Sequence, residues 1–187
     1  MASTSRRRRI WTIGHGTRPV EDLVAELRSA GVERLVDVRT APGSRRNPQY
    51  AREALEATIR AAGLAYEWRK DLGGFRRPRP DSPHRAIRND SFRGYADYMD
   101  TREFRAALDW LEATSAVTPT ATMCAESVWW RCHRRMIADA LLIDGWEVIH
   151  LLPNGRSQAH VLHPDARVEH GRPVYDAGQP ALGIDGG

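Results

Sequence analysis

The chain has 187 residues, 41% of them hydrophobic and 28% charged, with a formal net charge of +4 and a pI near 9.5. That length suits one domain with its own core, and the composition excludes a globally disordered or collagen-like chain. No run approaches the ~18 apolar residues that a membrane helix needs, and the first residues do not read as a secretory signal, so a cytoplasmic protein without a membrane partner is expected.

The chain opens with MASTSRRRR, residues 1–9, which reads as a flexible basic arm. A single domain is expected over 10–176 and a flexible tail over 177–187. The basic residues are nearly all arginine, Lys70 being the only lysine. Arginine brings a planar fork matched to phosphate and carboxylate, so anionic partners are expected, nucleic acid or nucleotide first.

From residue 10 the pattern turns regular. IWTIG (10–14) is a short apolar run stopped by glycine. PVEDLVAELRSAG (19–31) carries apolar residues at helical spacing, Val20, Leu23, Val24 and Leu27, between an opening proline and a closing glycine. RLVDVR (34–39) is the next strand, YAREALEATIRAAG (50–63) the next helix and LAYEW (64–68) a third strand. Residues 69–91 form a long loop rich in arginine, proline and glycine, of the kind that carries function. FRGYADYMD and REFRAALDWLEATSA read as helices, TATMCAE (120–126) as a central strand, 131–144 as a helix packing through Ile137 and Leu141, and EVIHLL (147–152) as a fifth strand. ARV and PVYD around EHG suggest a small hairpin in the tail. Strands alternating with helices predict an α/β fold: one domain, a mostly parallel sheet of about five strands, helices on both faces.

In open parallel sheets, sites form beyond the carboxyl ends of the strands. Read in order, those ends present His15, then Asp37 with Arg39, then Cys124 with Glu126, then His150. Cys124 and Glu126, two apart, are placed to share a side. The segment that follows, SVWWRCHRR, brings Trp129, Trp130, Arg131, Cys132, His133 and Arg134 to a helix start, where positive charge lowers a thiol's pKa. Each of these residues also has a plain structural use, as a loop cap, a small buried hydrophobe or a core tryptophan.

Three chemistries compete for this stretch. A cysteine phosphatase brackets five residues between Cys and Arg, whereas six separate Cys124 from Arg131, and Glu126 would repel phosphate. A rhodanese-like sulfur carrier would also set a strand-end thiol in a basic loop. A zinc site would have to gather Cys124, His133, His150 and His15 across the fold, since Cys-x7-Cys-His is not a standard spacing.

TIGHGTRPVEDLVAELRSAGVERLVDVRTAPGSRRNPQY, LGG and MCAESVWWRCHRRMIADAL together resemble the domain-of-unknown-function family DUF488, over about Ile10 to Leu151. The resemblance implies that Gly14, His15, Asp37, Arg39, Pro42, Ser44, Gly73, Cys124, Glu126, Cys132, His133 and Arg134 recur in the family, some of whose members carry a label of DNA repair. The expected function is an enzyme, hydrolase- or glycosylase-like or thiol-dependent, acting on a nucleic acid or nucleotide at a base or base–sugar bond. In that reading Cys124, Glu126, His15, His133 and Asp37 do the chemistry. Arg39, Ser44, Arg45, Arg46, Gly73, Gly74, Arg76, Arg77, Trp130, Arg131 and Arg134 bind the substrate. The rivals are a non-enzymatic nucleic-acid-binding module, and a sulfur carrier or metal-dependent enzyme on a small anionic metabolite. The sequence assigns no cofactor, metal or oligomeric state.

Overall fold

A computed structural model describes residues 8–43 and 45–178. Five strands run parallel: β1 (Arg9–Gly14), β2 (Arg34–Asp37), β3 (Ala65–Trp68), β4 (Thr120–Cys124) and β5 (Glu147–Leu152). β6 (Arg156–Ala159) pairs antiparallel with β5, giving the order β3-β2-β4-β1-β5-β6. β7 (Ala166–Glu169) and β8 (Arg172–Tyr175) form the small separate hairpin. Five helices fill the connections: α1 (Val20–Ser29), α2 (Arg52–Ala61), α3 (Asp90–Met99), α4 (Arg102–Val117) and α5 (Arg134–Ile143). Asn89 and Thr101 cap α3 and α4 by accepting from the Phe92 and Phe104 amides.

Connections through α1 and α2 step in one direction along the sheet, and those through α3–α4 and α5 step back. With crossovers of one hand, that reversal puts the two sets of helices on opposite faces. The core divides accordingly. Leu23, Leu27, Leu55 and Ile59 pack on Ile13, Leu35 and Met123. Tyr95, Phe104, Leu111, Ile137 and Leu141 pack on Ile10, Val36 and Val148. Fully buried side chains of this size stabilise by roughly 1.5–3 kcal/mol each. Because β4 lies between β1 and β2, whose connections leave by the other face, a crevice opens at the carboxyl end of β4.

Several boundaries differ from the sequence expectation. The first strand includes Arg9, which pairs with Glu147, so the basic arm is shorter than residues 1–9. Its residues 1–7, and 179–187 of the expected tail, lie outside the described residues. β4 stops at Cys124, leaving Glu126 beyond it in a bend. The helix expected from 131 begins at Arg134, after a single turn of 3-10 helix at Trp129–Arg131, so Cys132 and His133 precede it. His150 is not at a strand exit: it lies inside β5 and is buried.

Candidate functional site

The crevice at the end of β4 holds a cavity of about 390 Å³. Cys124 and Cys132 line it with His133, Glu126 and Arg131. Arg39, Thr40, Gly74, Phe75, Phe92 and Tyr95 supply further walls. Strand alternation explains which of the predicted residues meet there. Cys124 is in register with Gly14 on β1, on the face covered by α3–α5, whereas Asp37 is in register with Met123, on the face covered by α1 and α2. The polar strand ends therefore separate into two groups rather than one.

The group under α1 and α2 is closed. Arg39 donates bidentately to Asp37, Nε to Oδ1 at 2.8 Å and Nη2 to Oδ2 at 2.6 Å, and its Nη1 donates to the Tyr50 carbonyl at 2.8 Å. Tyr66 donates its hydroxyl to Asp37 Oδ2. His15 Nδ1 faces the Gly16 carbonyl at 2.8 Å, so it carries the hydrogen, and Nε2 accepts from Arg39 Nη1 at 3.2 Å. Its ring stacks on Tyr50 at 4.0 Å. Burial lowers the His15 pKa to about 4, so this imidazole is neutral at pH 7. Arg39 lines the cavity with its fork occupied by protein groups, whereas His15 and Asp37 do not line it. His15 and Asp37 thus stand outside the cavity in a buried brace that fixes the exit of β2, and Arg39 spans the brace and the cavity wall.

The group under α5 is open to the cavity. Burial pushes the Cys124 thiol up, but a hydrogen bond from Cys132 and the charge of Arg134 outweigh it, holding Cys124 below the ordinary cysteine pKa. Burial and the contact with Cys124 push Cys132 well above it. Arg134 is a central support rather than a substrate ligand. It is 1% exposed and donates from Nη2 to the carbonyls of Glu126 at 2.7 Å and Ser127 at 3.2 Å. Among the described residues no carboxylate forms an ion pair with it, and its Nε and Nη1 have no hydrogen-bond partner. Gly14 is required beneath it, since a Cβ there would stand 2.7 Å from Nη2 and 2.0 Å from the Glu126 carbonyl oxygen. Glu126 itself is exposed, and its Oε1 accepts from the Val128 amide at 3.0 Å, closing the bend.

His133 Nε2 lies 3.1 Å from the Val38 carbonyl, and Nδ1 lies 3.6 Å from Cys132 Sγ. Burial lowers its pKa to about 4. Gly73 and Gly74 are close-approach positions: a Cβ on Gly73 would meet Thr40 Oγ1 at 2.6 Å, and one on Gly74 would meet His133 Nδ1 at 3.0 Å. Phe75 follows with a φ of 61° and is 85% exposed at the cavity rim, a non-glycine residue in the left-handed region, where strain gathers at ligand sites.

The remaining expected ligands lie elsewhere. Arg45, Arg46 and Arg77 are exposed and line no part of the cavity, and Arg76 stacks on Tyr98 at 4.1 Å. Ser44 lies outside the described residues. Trp130 is exposed over a separate recess with Ile87, Phe92 and Met136. Sequence reading missed Thr40, Phe75, Phe92 and Tyr95; of these only Phe75, directly after a glycine pair in the long loop, carries a local signal.

The zinc set of Cys124, His133, His150 and His15 is not assembled. His150 bonds Thr12 and His160, and His160 bonds Asp139, forming a buried chain under the stacked Trp129 ring. Among the described residues one group could draw metal-ligating atoms together, His84, Asp97 and Asp100. The Tyr175 amide donates to His84 Nδ1 at 3.3 Å, which leaves the hydrogen on Nε2, and Arg79 lies 3.6 and 3.4 Å from the two carboxylates. Arg79 thus faces two carboxylates, and His84 Nε2 and Asp97 Oδ1 are buried without a hydrogen-bond partner.

The fold and site together define a class: a doubly wound α/β domain whose parallel sheet presents a thiol pair to a cavity at its carboxyl edge. Within that class the chain belongs to DUF488, described as a domain of unknown function, whose family model matches residues 19–141. The match contains Asp37, Arg39 and the whole Cys124–Arg134 stretch but begins after Gly14 and His15. No curated protein and no solved structure matches the chain.

Proposed function

We propose that this protein is a thiol-dependent enzyme in which Cys124 is the nucleophile. The observation that carries the reading is the buried Arg134 cation, which has no carboxylate partner among the described residues and lies where its charge favours the Cys124 thiolate. A buried guanidinium without an anion costs several kcal/mol, and a thiolate on the cavity floor offsets that cost. The substrate is a small molecule, because about 390 Å³ holds one flat ring system with its substituents. Phe75, Phe92 and Tyr95 provide apolar walls, and Arg131, which makes no ion pair among the described residues, meets an anionic group. An aromatic carboxylate or a nucleotide has that chemistry.

The test is the pH dependence of alkylation by iodoacetamide, with each cysteine read by peptide mass. A pKa below the ordinary value means that the thiolate persists as pH falls below about 8.5, so Cys124 should react at pH 7 far faster than Cys132. Equal, slow labelling of both thiols at pH 7 would return Cys124 to a structural role.

A second reading, binding of nucleic acid, draws on Arg45, Arg46 and Arg77, exposed and without an ion pair among the described residues. These lie outside the cavity, so the readings separate. If they contact phosphates, duplex DNA affinity falls with salt, and replacing all three with alanine flattens the log–log slope by about one unit per lost contact. An unchanged slope ends the second reading.

A further inference from the structure

We propose that Cys124 and Cys132 act together as a catalytic dithiol that reduces a disulfide bond in a small aromatic, anionic substrate. The proposal rests on Cys124 being the nucleophile and adds the second thiol, the reaction type and the substrate class.

Both thiols line the same cavity, although seven residues separate them in sequence. A hydrolytic nucleophile gains nothing from a second thiol in its immediate shell. A dithiol reductant requires one, and requires the two to differ: one ionised to attack, the other held protonated until needed. The surroundings build that difference. Arg134 acts on Cys124 from below. Cys132 sits between the 3-10 turn and the start of α5, beside His133. The Val38 carbonyl can only accept, so His133 carries its hydrogen on Nε2, and the Nδ1 lone pair is the one 3.6 Å from Cys132 Sγ. Gly74 and the edge of Tyr95, 5.1 Å away between ring centres, hold that imidazole in place.

The reaction balances. The Cys124 thiolate attacks one sulfur of R–S–S–R′, forming a mixed disulfide and releasing R′S⁻, which leaves as R′SH with a proton from solvent. As Cys132 attacks Cys124 Sγ, its proton passes through His133 Nδ1 to the departing RS⁻, giving RSH and the Cys124–Cys132 disulfide. Two electrons have moved from the protein dithiol to the substrate, and an external dithiol restores the reduced enzyme by the same exchange. The 125–131 segment contains no long helix or strand, so it can absorb the movement that brings the two sulfurs to a bond of about 2.05 Å.

Dithiobis(2-nitrobenzoate), an aromatic dicarboxylate joined by a disulfide, tests this on the full-length chain under native conditions. The expected result is two equivalents of coloured thiolate per chain, no bound adduct, and a protein mass short by two hydrogens. Cys132→Ser should release one equivalent and keep a stable adduct on Cys124. His133→Asn should slow the second release by about tenfold or more, the lower part of the range for a general base, and leave the first unchanged. A wild-type chain carrying an adduct on each cysteine would overturn the dithiol while leaving Cys124 a nucleophile. Adduct formation on Cys132 ahead of Cys124 would defeat both. Equal slowing of the two releases in His133→Asn would overturn the proton transfer and with it the proposed order of steps.

Discussion

Replacing Arg39 with leucine should destabilise the protein by about 3–5 kcal/mol, the range for removing one partner of a buried ion pair. Asp37 is fully buried, and its two oxygens receive Arg39 through both arms of the guanidinium, with Tyr66 as a third donor. Leucine would leave that carboxylate with a phenol and a backbone amide in a low-dielectric setting. It would also strip the Tyr50 carbonyl and His15 Nε2 of their donor. Lysine is no substitute, because a single ammonium cannot reproduce two parallel bonds to Asp37 and a third to Tyr50. The double variant Asp37→Asn with Arg39→Leu should recover a large part of the loss, since it removes the unpaired charge along with its partner. Chemical denaturation of the wild type, Asp37→Asn, Arg39→Leu and the double variant reads the cycle directly. A loss below about 1 kcal/mol for Arg39→Leu would mean that the fork is not committed to Asp37, and would return Arg39 to the substrate-binding role expected from the sequence.

The brace bears on the cavity as well as on stability. The β2 exit runs from Asp37 through Arg39 to Thr40, whose hydroxyl donates to the Gly74 carbonyl at 2.8 Å. Gly74 in turn abuts His133. A loosened Arg39 would thus reach the imidazole through two steps of packing without touching any substrate.

How much of this was legible in the sequence follows from what each signal encodes. The parallel sheet and its helices were, because Val20, Leu23, Val24 and Leu27 repeat at helical spacing and the strands are short apolar runs between turn residues. β6 was not: RSQA is mostly polar and exposed at every position, and it lies on the edge of the sheet, paired to β5 by its backbone. The thiol stretch stood out in the sequence because cysteine, glutamate and histidine crowd a strand exit, and Cys124, Glu126, Cys132 and His133 do line one cavity. What went wrong was the grouping of the strand ends. Counting by two from Leu35 places Asp37 on the α1–α2 side, but the register that puts Met123 rather than Cys124 beside Asp37 is a tertiary fact, set by packing between strands far apart in sequence. Arg134 was read as a surface clamp because arginine is almost never fully buried unless paired. Its burial depends on Gly14, 120 positions earlier in the chain, leaving room for the guanidinium.

That buried arginine gives the most direct electrostatic test of the site. Arg134→Met keeps much of the side-chain volume and removes the cation. Burial then acts on Cys124 with only Cys132 and the Glu126 backbone opposing it, so the thiol pKa moves upward. The fraction ionised at pH 7 falls, and the rate of Cys124 alkylation should drop by about tenfold or more, a pKa unit being worth about 1.4 kcal/mol. The whole pH–rate curve should shift to higher pH while its plateau at alkaline pH stays near the wild-type value, because the thiolate, once formed, is the same nucleophile. A structural disturbance gives a different pattern. If methionine merely released the Glu126 and Ser127 carbonyls and opened the bend, Cys124 would become more accessible, and the plateau would rise without the midpoint moving. Arg134→Lys separates the two effects, restoring charge without the second donor arm. It should bring the midpoint most of the way back even if the bend remains loose. A midpoint unmoved in Arg134→Met would show that the cation does not stabilise the thiolate, and would remove the main support for Cys124 as the nucleophile.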